Sequence, residues 1–472
     1  MWRIVSERRE GAAHRAQLIT FVVLTVALAL AGAVWGHSVV QARHQGGSAA
    51  HGATPTALAA ATAAPSAGPT TGPAPAEPNP AAVAHALDAA LGDPALGGRV
   101  LVDVVDAQTG DVLDGRDPTT AAAPASTAKL LTAAALLSVR APTARLTTRV
   151  VAGSGSTIVL VGGGDPTITS AAAGQPGAYA DAARLSDLAA QVKAAHRQVT
   201  QIVVDDGLFI GPTISPDWGP GDAPSEFAAP ITAVMADGGR AAPDDTIRSG
   251  QPDIAAGQAL ASLLGVPGIP VTLGSATAGA KVLARVQSPQ LSELVAQMLQ
   301  PSDNVIAECL ARQVAIARHQ PASFTGAAGA IRTVLSGLGV DVGSGMTDGS
   351  GLAAGDRLTP TALAGVLRLV VGTANPSLRA IVTALPVAGW SGTLTDRFLP
   401  GTDSARGAGV VRAKTGTLTG VSALAGLVHD ADGRQLVFAM IADQVAPSGA
   451  GTVDAEASLD VVASTLARCG CR

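Results

Sequence analysis

The chain has 472 residues, 47% of them hydrophobic, with 55 glycines and a formal net charge of −5. That length supports two or three domains with a sizeable core, and the lack of a sustained Lys/Arg block in its body excludes a nucleic-acid footprint. Eight histidines without a paired ligand spacing suggest no metal site, and no motif asks for a cofactor.

Residues 1–17 carry Arg3, Arg8, Arg9 and Arg15, and Leu18 to Gly36 is apolar except for Thr20 and Thr25. At about 1.5 Å per residue the apolar run matches a bilayer's hydrocarbon core, and the flanking arginines place residues 1–17 in the cytoplasm. The run is longer than a usual signal core and lacks a clean A-x-A site after it, which favours an uncleaved membrane anchor over a cleaved signal peptide. Either reading puts the rest of the chain outside the cytoplasm. Residues 37–81 are small residues with recurring proline, a composition for a flexible tether.

Folded structure is predicted to begin near Ala82 with an amphipathic helix. Val100 to Val105 alternates and Val112-Leu113 returns after a Gln-Thr-Gly turn, a hairpin pattern. Ala123 to Leu137 reads as the start of a helix in which Ser126 and Lys129, three apart, share a face. A serine hydroxyl needs a neighbouring base to be a nucleophile, and a lysine serves when its pKa is depressed. Farther on, Thr157 to Ile168 is a strand breaking into a glycine-rich turn, Ala183 to Gln198 an amphipathic helix and Val199 to Phe209 a strand. Ser302-Asp303-Asn304 opens another helix, and Asp303 suits its N-terminus. Lys414-Thr415-Gly416 sits on a strand, followed by two apolar strands around Asp430 to Gly433 and a closing helix.

S-x-x-K, S-x-N and K-T-G in that order are the set of penicillin-binding proteins and class A β-lactamases. The chain resembles these penicillin-interacting serine enzymes. The long interval between Ser126 and Ser302, with GGGDPT at 162–167, DGSGL at 348–352 and LPVAGWSGTL at 385–394, is similar to the D-Ala-D-Ala carboxypeptidase/endopeptidases of the penicillin-binding protein 4 type. The resemblance implies an α+β fold, a β-lactamase/transpeptidase-like domain from 82–149 and 286–472, with residues 150–285 inserted as one or two small domains. It implies acyl transfer from peptidoglycan stem peptides, with β-lactam antibiotics as covalent inhibitors and the membrane as partner through the anchor.

It also implies roles. Ser126 is the nucleophile and Lys129 its base. Ser302 relays a proton to the leaving amine, and Asn304 binds the substrate amide and fixes Lys129. Lys414 and Thr415 face the terminal carboxylate, and Lys414 holds Lys129 neutral by repulsion. Gly416 admits the substrate backbone, and the N–H groups of Ser126 and Thr417 form the oxyanion hole. Trp218, Asp222 and Glu226 fall where relatives recognise the stem-peptide side chain, and Leu418 joins that pocket; the spacing departs from the family pattern, as does Ala353-Ala354-Gly355, where some relatives carry an arginine. A serine β-lactamase and a non-catalytic wall-binding scaffold are the alternatives. The only glutamate between Ser302 and Lys414 is Glu308, on the helix after Ser302, where it cannot act from an Ω-type loop as the deacylating residue of a class A enzyme. Of the three cysteines, a bridge from Cys309 to Cys469 or Cys471 ranks above a Cys469–Cys471 pair.

Overall fold

The computed structural model describes residues 75–195 and 197–472. The expected anchor at 18–36 and the tether up to residue 74 lie outside the described residues. The first helix of the described residues starts slightly before the expected Ala82. Helix α1 spans Pro80–Leu91, with Pro80 at its first turn and the Asn79 side chain accepting from Ala81 N at 2.9 Å.

One antiparallel sheet has the order β2-β1-β10-β9-β8, from β1 (Val100–Asp106), β2 (Val112–Arg116), β8 (Arg412–Leu418), β9 (Val421–His429) and β10 (Gln435–Ala442). Its central strands read as near-continuous apolar runs because both faces are covered. Along β10, Val437, Ala439 and Ile441 face one core while Leu436, Phe438 and Met440 face the other. The first core is filled by α2 (Lys129–Val139), α5 (Leu291–Leu299), α6 (Asn304–Ala317), α7 (Phe324–Gly337), α8 (Pro360–Val371) and α9 (Arg379–Ala384). The second is filled by α1 and α10 (Gly449–Arg468). At the β9–β10 turn, Asp430 Oδ1 accepts from Asp432 N and Arg434 N at 2.9 and 2.8 Å.

A second five-stranded sheet, order β6-β5-β4-β3-β7, takes β3 (Thr147–Ala152), β4 (Thr157–Val161), β5 (Gln201–Asp205), β6 (Val271–Leu273) and β7 (Val282–Gln287). Its outer sequence limits run slightly beyond 150 and 285. Helices α3 (Leu185–Ala194) and α4 (Pro252–Leu264) share its core. The irregular stretch from about 206 to 251 packs Phe209, Trp218 and Ile231 against Val305 and Cys309 of α6.

The expected cysteine pairing is overturned. Cys469 and Cys471 are bonded to each other, and Cys309 is a free, buried thiol. Cys309 lies in the cluster between α6 and Trp218, whereas the tail cysteines pack with α1 and α10 on the far side of the first sheet. No helix among the described residues is long and apolar enough to cross a membrane.

Candidate active site

The helix carrying S-x-x-K starts later than its propensity suggests. Ala125–Ala128 is a 3₁₀ turn and the α-helix begins at Lys129. In a 3₁₀ turn residues three apart eclipse one another, and Lys129 Nζ lies 2.8 Å from Ser126 Oγ. Ala125 holds a left-handed φ of 46°. Two glycines allow the chain to pack on this turn: a Cβ on Gly416 would meet Pro124 O at 2.6 Å, and one on Gly351 would collide with Ala125 O. Glycine is needed in K-T-G and D-G-S-G-L because backbone meets backbone there.

Lys129 Nζ also donates to Asn304 Oδ1 at 2.6 Å and to the Ser350 carbonyl at 2.8 Å. Its three bonds thus join α2, the start of α6 and the 348–352 loop. Thr132, one turn on, fixes that loop by donating to Gly349 O at 2.6 Å. Complete burial brings Lys129 down to about 8, against the opposing charges of Asp348, Asp303 and Glu308. The repulsion expected between the two lysines falls on Lys414, whose pKa lies well below its ordinary value through burial first and then the charges of Lys129 and Arg397.

Lys414 is fully buried and donates to its neighbour's Thr415 O at 2.8 Å, and Thr415 Oγ1 is 2.9 Å from Thr393 Oγ1. The cavity of about 480 Å³ is lined by Ser126, Asn304, Asp222, Thr417 and Leu418, with Phe227, Leu352 and the Ser448 end of α10. Ser302, Lys414 and Thr415 are not among the residues that line this cavity, and Ser302 is not among Lys129's partners. Asp222 Oδ2 accepts from Gly219 N at 2.6 Å, which fixes the turn that brings it to the cavity.

Trp218 departs from its expected subsite role. It is buried edge-on against Phe324, with ring centroids 5.3 Å apart, and donates from Nε1 to Asp348 Oδ2 at 2.8 Å. It buttresses the 348–352 loop from outside the cavity. Glu226 lines a separate shallow cavity beside Arg240. Glu308 lies on α6 and its Oε1 accepts from Gly349 N at 2.9 Å. Burial, then the charge of Asp348, brings Glu308 up to about 7, against the pull of Arg312.

The sequence reading missed several contributors. The Ser350 and Phe227 carbonyls, the latter accepting from Asn304 Nδ2 at 3.2 Å, are backbone groups with no residue-type signature. Glu456 on α10 accepts from Thr417 Oγ1 at 2.7 Å. It also lines a neighbouring cavity of about 500 Å³ with Arg397 and Asp460, which Ser126 does not reach. A helical spacing of Glu456 and Asp460 was the one available signal.

An antiparallel sheet between two helical layers, with a serine–lysine pair at the start of a buried helix and K-T-G on the facing edge strand, defines a penicillin-recognising serine enzyme. The D-Ala-D-Ala carboxypeptidase 3 (S13) family model matches residues 83–251 and 241–466, and the chain belongs to that family, the serine-type D-Ala-D-Ala carboxypeptidases. It is 44% identical over 396 residues to the carboxypeptidase DacB of Mycolicibacterium smegmatis, covering 82% of this chain and 84% of that one. To a carboxypeptidase of Mycobacterium tuberculosis it is 42% identical over 402 residues, covering 84% and 86%. The crystal structure of penicillin binding protein 4 from Haemophilus influenzae shares the fold, with a TM-score of 0.63 at 22% identity over 76% of this chain and 95% of that one.

Proposed function

We propose that the chain removes the terminal D-Ala of peptidoglycan stem peptides through an acyl-enzyme on Ser126. The observation that carries this reading is the 2.8 Å contact between Ser126 Oγ and a buried Lys129 brought down to about 8. Neutral Lys129 takes the hydroxyl proton as Oγ bonds to the penultimate D-Ala carbonyl carbon. Backbone N–H groups of Ser126 and Thr417 receive the oxyanion, where one such donor is worth about 2.7–4 kcal/mol of barrier. Ser302 relays the proton held by Lys129 to the departing amine as the C–N bond breaks, and water then hydrolyses the ester, giving up a proton to Lys129 that returns to Ser126 Oγ. Asn304 orients Lys129 and the substrate amide, and Lys414 and Thr415 supply the field for the terminal carboxylate. Asp222 and Leu418 meet the stem-peptide side chain.

A β-lactam presents the same reacting carbonyl, so penicillin acylates Ser126. Haemophilus influenzae penicillin binding protein 4 has been solved with a β-lactam, which supports this for a chain of the same fold. Residues 18–36 hold the enzyme to the outer face of the cell membrane.

The test is a fluorescent penicillin and a D-Ala-D-Ala peptide, given to the full chain and to Ser126→Ala. We expect a lasting adduct and D-Ala release from wild type, and neither from the variant. Labelling that survives in Ser126→Ala would overturn the assignment.

A further inference from the structure

We infer that Arg248 and Tyr179, both in the segment between β3 and β7, are positioning residues for the reaction, setting Ser302 and Asn304 through the buried carboxylate of Asp303. The inference rests on the acyl-serine reading above and extends it to a part of the chain that carries none of the three motifs.

Asp303 lies between the two S-x-N side chains and is held at both oxygens. Oδ1 caps α6 by accepting from Ile306 N at 2.9 Å. Oδ2 accepts from Tyr179 OH at 2.8 Å and from Arg248 Nη2 at 3.0 Å. The ion pair is almost sealed from solvent, with side-chain exposures of 3% and 5%. Burial pushes the Asp303 carboxyl up, but Arg248 and the hydrogen bonds outweigh it and hold the group below its ordinary value, ionised.

A buried ion pair is weak evidence for stability, because desolvation offsets the attraction. What it supplies here is placement. Ser302, just before Asp303, has a left-handed φ of 63°. A non-glycine residue persists there only where its surroundings over-determine it. Asp303 N donates to Met298 O at 3.0 Å, and with the three side-chain bonds this clamps the residue after the strained one. Asn304, the residue after the clamp, is the one that meets Lys129.

The far ends of the clamp are also fixed. Arg248 Nη1 donates to Gly238 O, and Arg240 Nη1 donates to Tyr179 OH at 3.2 Å and to Asp237 O at 2.8 Å. Asp237, Gly238 and Gly239 run through φ values of 51°, 65° and 86°. A Cβ on Gly238 would strike both the Tyr179 hydroxyl and Arg248 Nη1. Asp237 is anchored in turn by Ser170 N at 2.8 Å and Ala178 N at 3.2 Å. This segment therefore reaches the S-x-N residues through a buried set of contacts in which Arg248 Nε is left without a hydrogen-bond partner.

The test uses the full chain and its Tyr179→Phe, Arg248→Met and Arg248→Lys variants. It follows the acylation rate per labelled site with a fluorescent penicillin, kcat and KM on a D-Ala-D-Ala peptide, and a thermal melt for each. Misplacing a catalytic group by about 1 Å can cost about 100-fold, and we expect a loss of about that size in Arg248→Met, carried by kcat rather than KM. Arg248→Lys should recover part of it. Tyr179→Phe removes one hydroxyl at constant ring volume and should lose about tenfold, the worth of one hydrogen bond to a charged group. If Arg248→Met does not fold, Tyr179→Phe decides. A merely structural role would lower the melting temperature or the labelled fraction but leave the rate per labelled site at the wild-type value, and that result in folded variants overturns the inference. A wild-type chain that takes no penicillin overturns the acyl-serine reading and the inference with it.

Discussion

At Lys129, three nitrogen–hydrogen positions meet three acceptors: one is the nucleophile, one the S-x-N amide and one a carbonyl. Such a group is well oriented, but it acts as a base only when deprotonated. With its pKa near 8, about one lysine in ten is neutral at pH 7. Acylation should therefore rise with pH through about 8. The charges acting on it are those of Asp348, Asp303 and Glu308. Because Glu308 raises Lys129's pKa, Glu308→Gln should move the rising limb to lower pH. Penicillin acylation rates between pH 6 and 10 check both statements; a rate flat across that span would contradict the role of Lys129 as base. The Ser126–Lys129 contact was legible in the sequence because it is local, a matter of spacing alone. Trp218 was not, since whether an aromatic in a long irregular stretch lines a cavity or fills a core depends on where the stretch folds back.

Among the elements, β10 carries the most structural weight. It lies at the centre of the first sheet, pairs with β1 and β9 and presents apolar side chains to two cores. Phe438 is fully buried among α1, α10 and the sheet. Phe438→Ala should cost about 3–5 kcal/mol of stability, read as a fall in the denaturant midpoint; a loss under about 1 kcal/mol would mean that this face repacks freely. The strands and closing helix of this sheet were legible from apolar runs and a turn signal at Asp430 to Gly433. Pairing across the chain was not: Val100–Asp106 gives no residue-level hint that its partner is Gln435–Ala442. The 3₁₀ turn before Lys129 also escaped, because the helix-forming composition of the stretch continues through it.

At the level of the whole molecule, the proposed attachment through the apolar run 18–36 has a direct test. The full chain should sediment with membranes and need detergent for release, whereas a variant lacking residues 1–36 should stay in the supernatant. Release of the full chain by salt alone would remove the anchor from the account. The cysteines show the limit of local reasoning. A bridge from Cys309 ranks higher because a C-x-C pair closing on itself is strained, but Cys309 lies with Trp218 in a different core from the tail pair. Distance decides pairing, and distance belongs to the tertiary fold.

The order in which a ribosome delivers this chain gives the β1–β10 pairing a further meaning. Nucleophile and base emerge well before K-T-G, the two strands beside it and the helix whose Ser448 end borders the cavity. The first strand must wait, unpaired on one side, for a partner some three hundred residues downstream, which makes folding slow and dependent on completion. A chain cut short before β8 would hold Ser126 and Lys129 without the wall that presents a substrate to them. Hydrolytic capacity thus depends on segments far downstream of the nucleophile, so that the topology ties activity to the delivery of β8, β10 and α10.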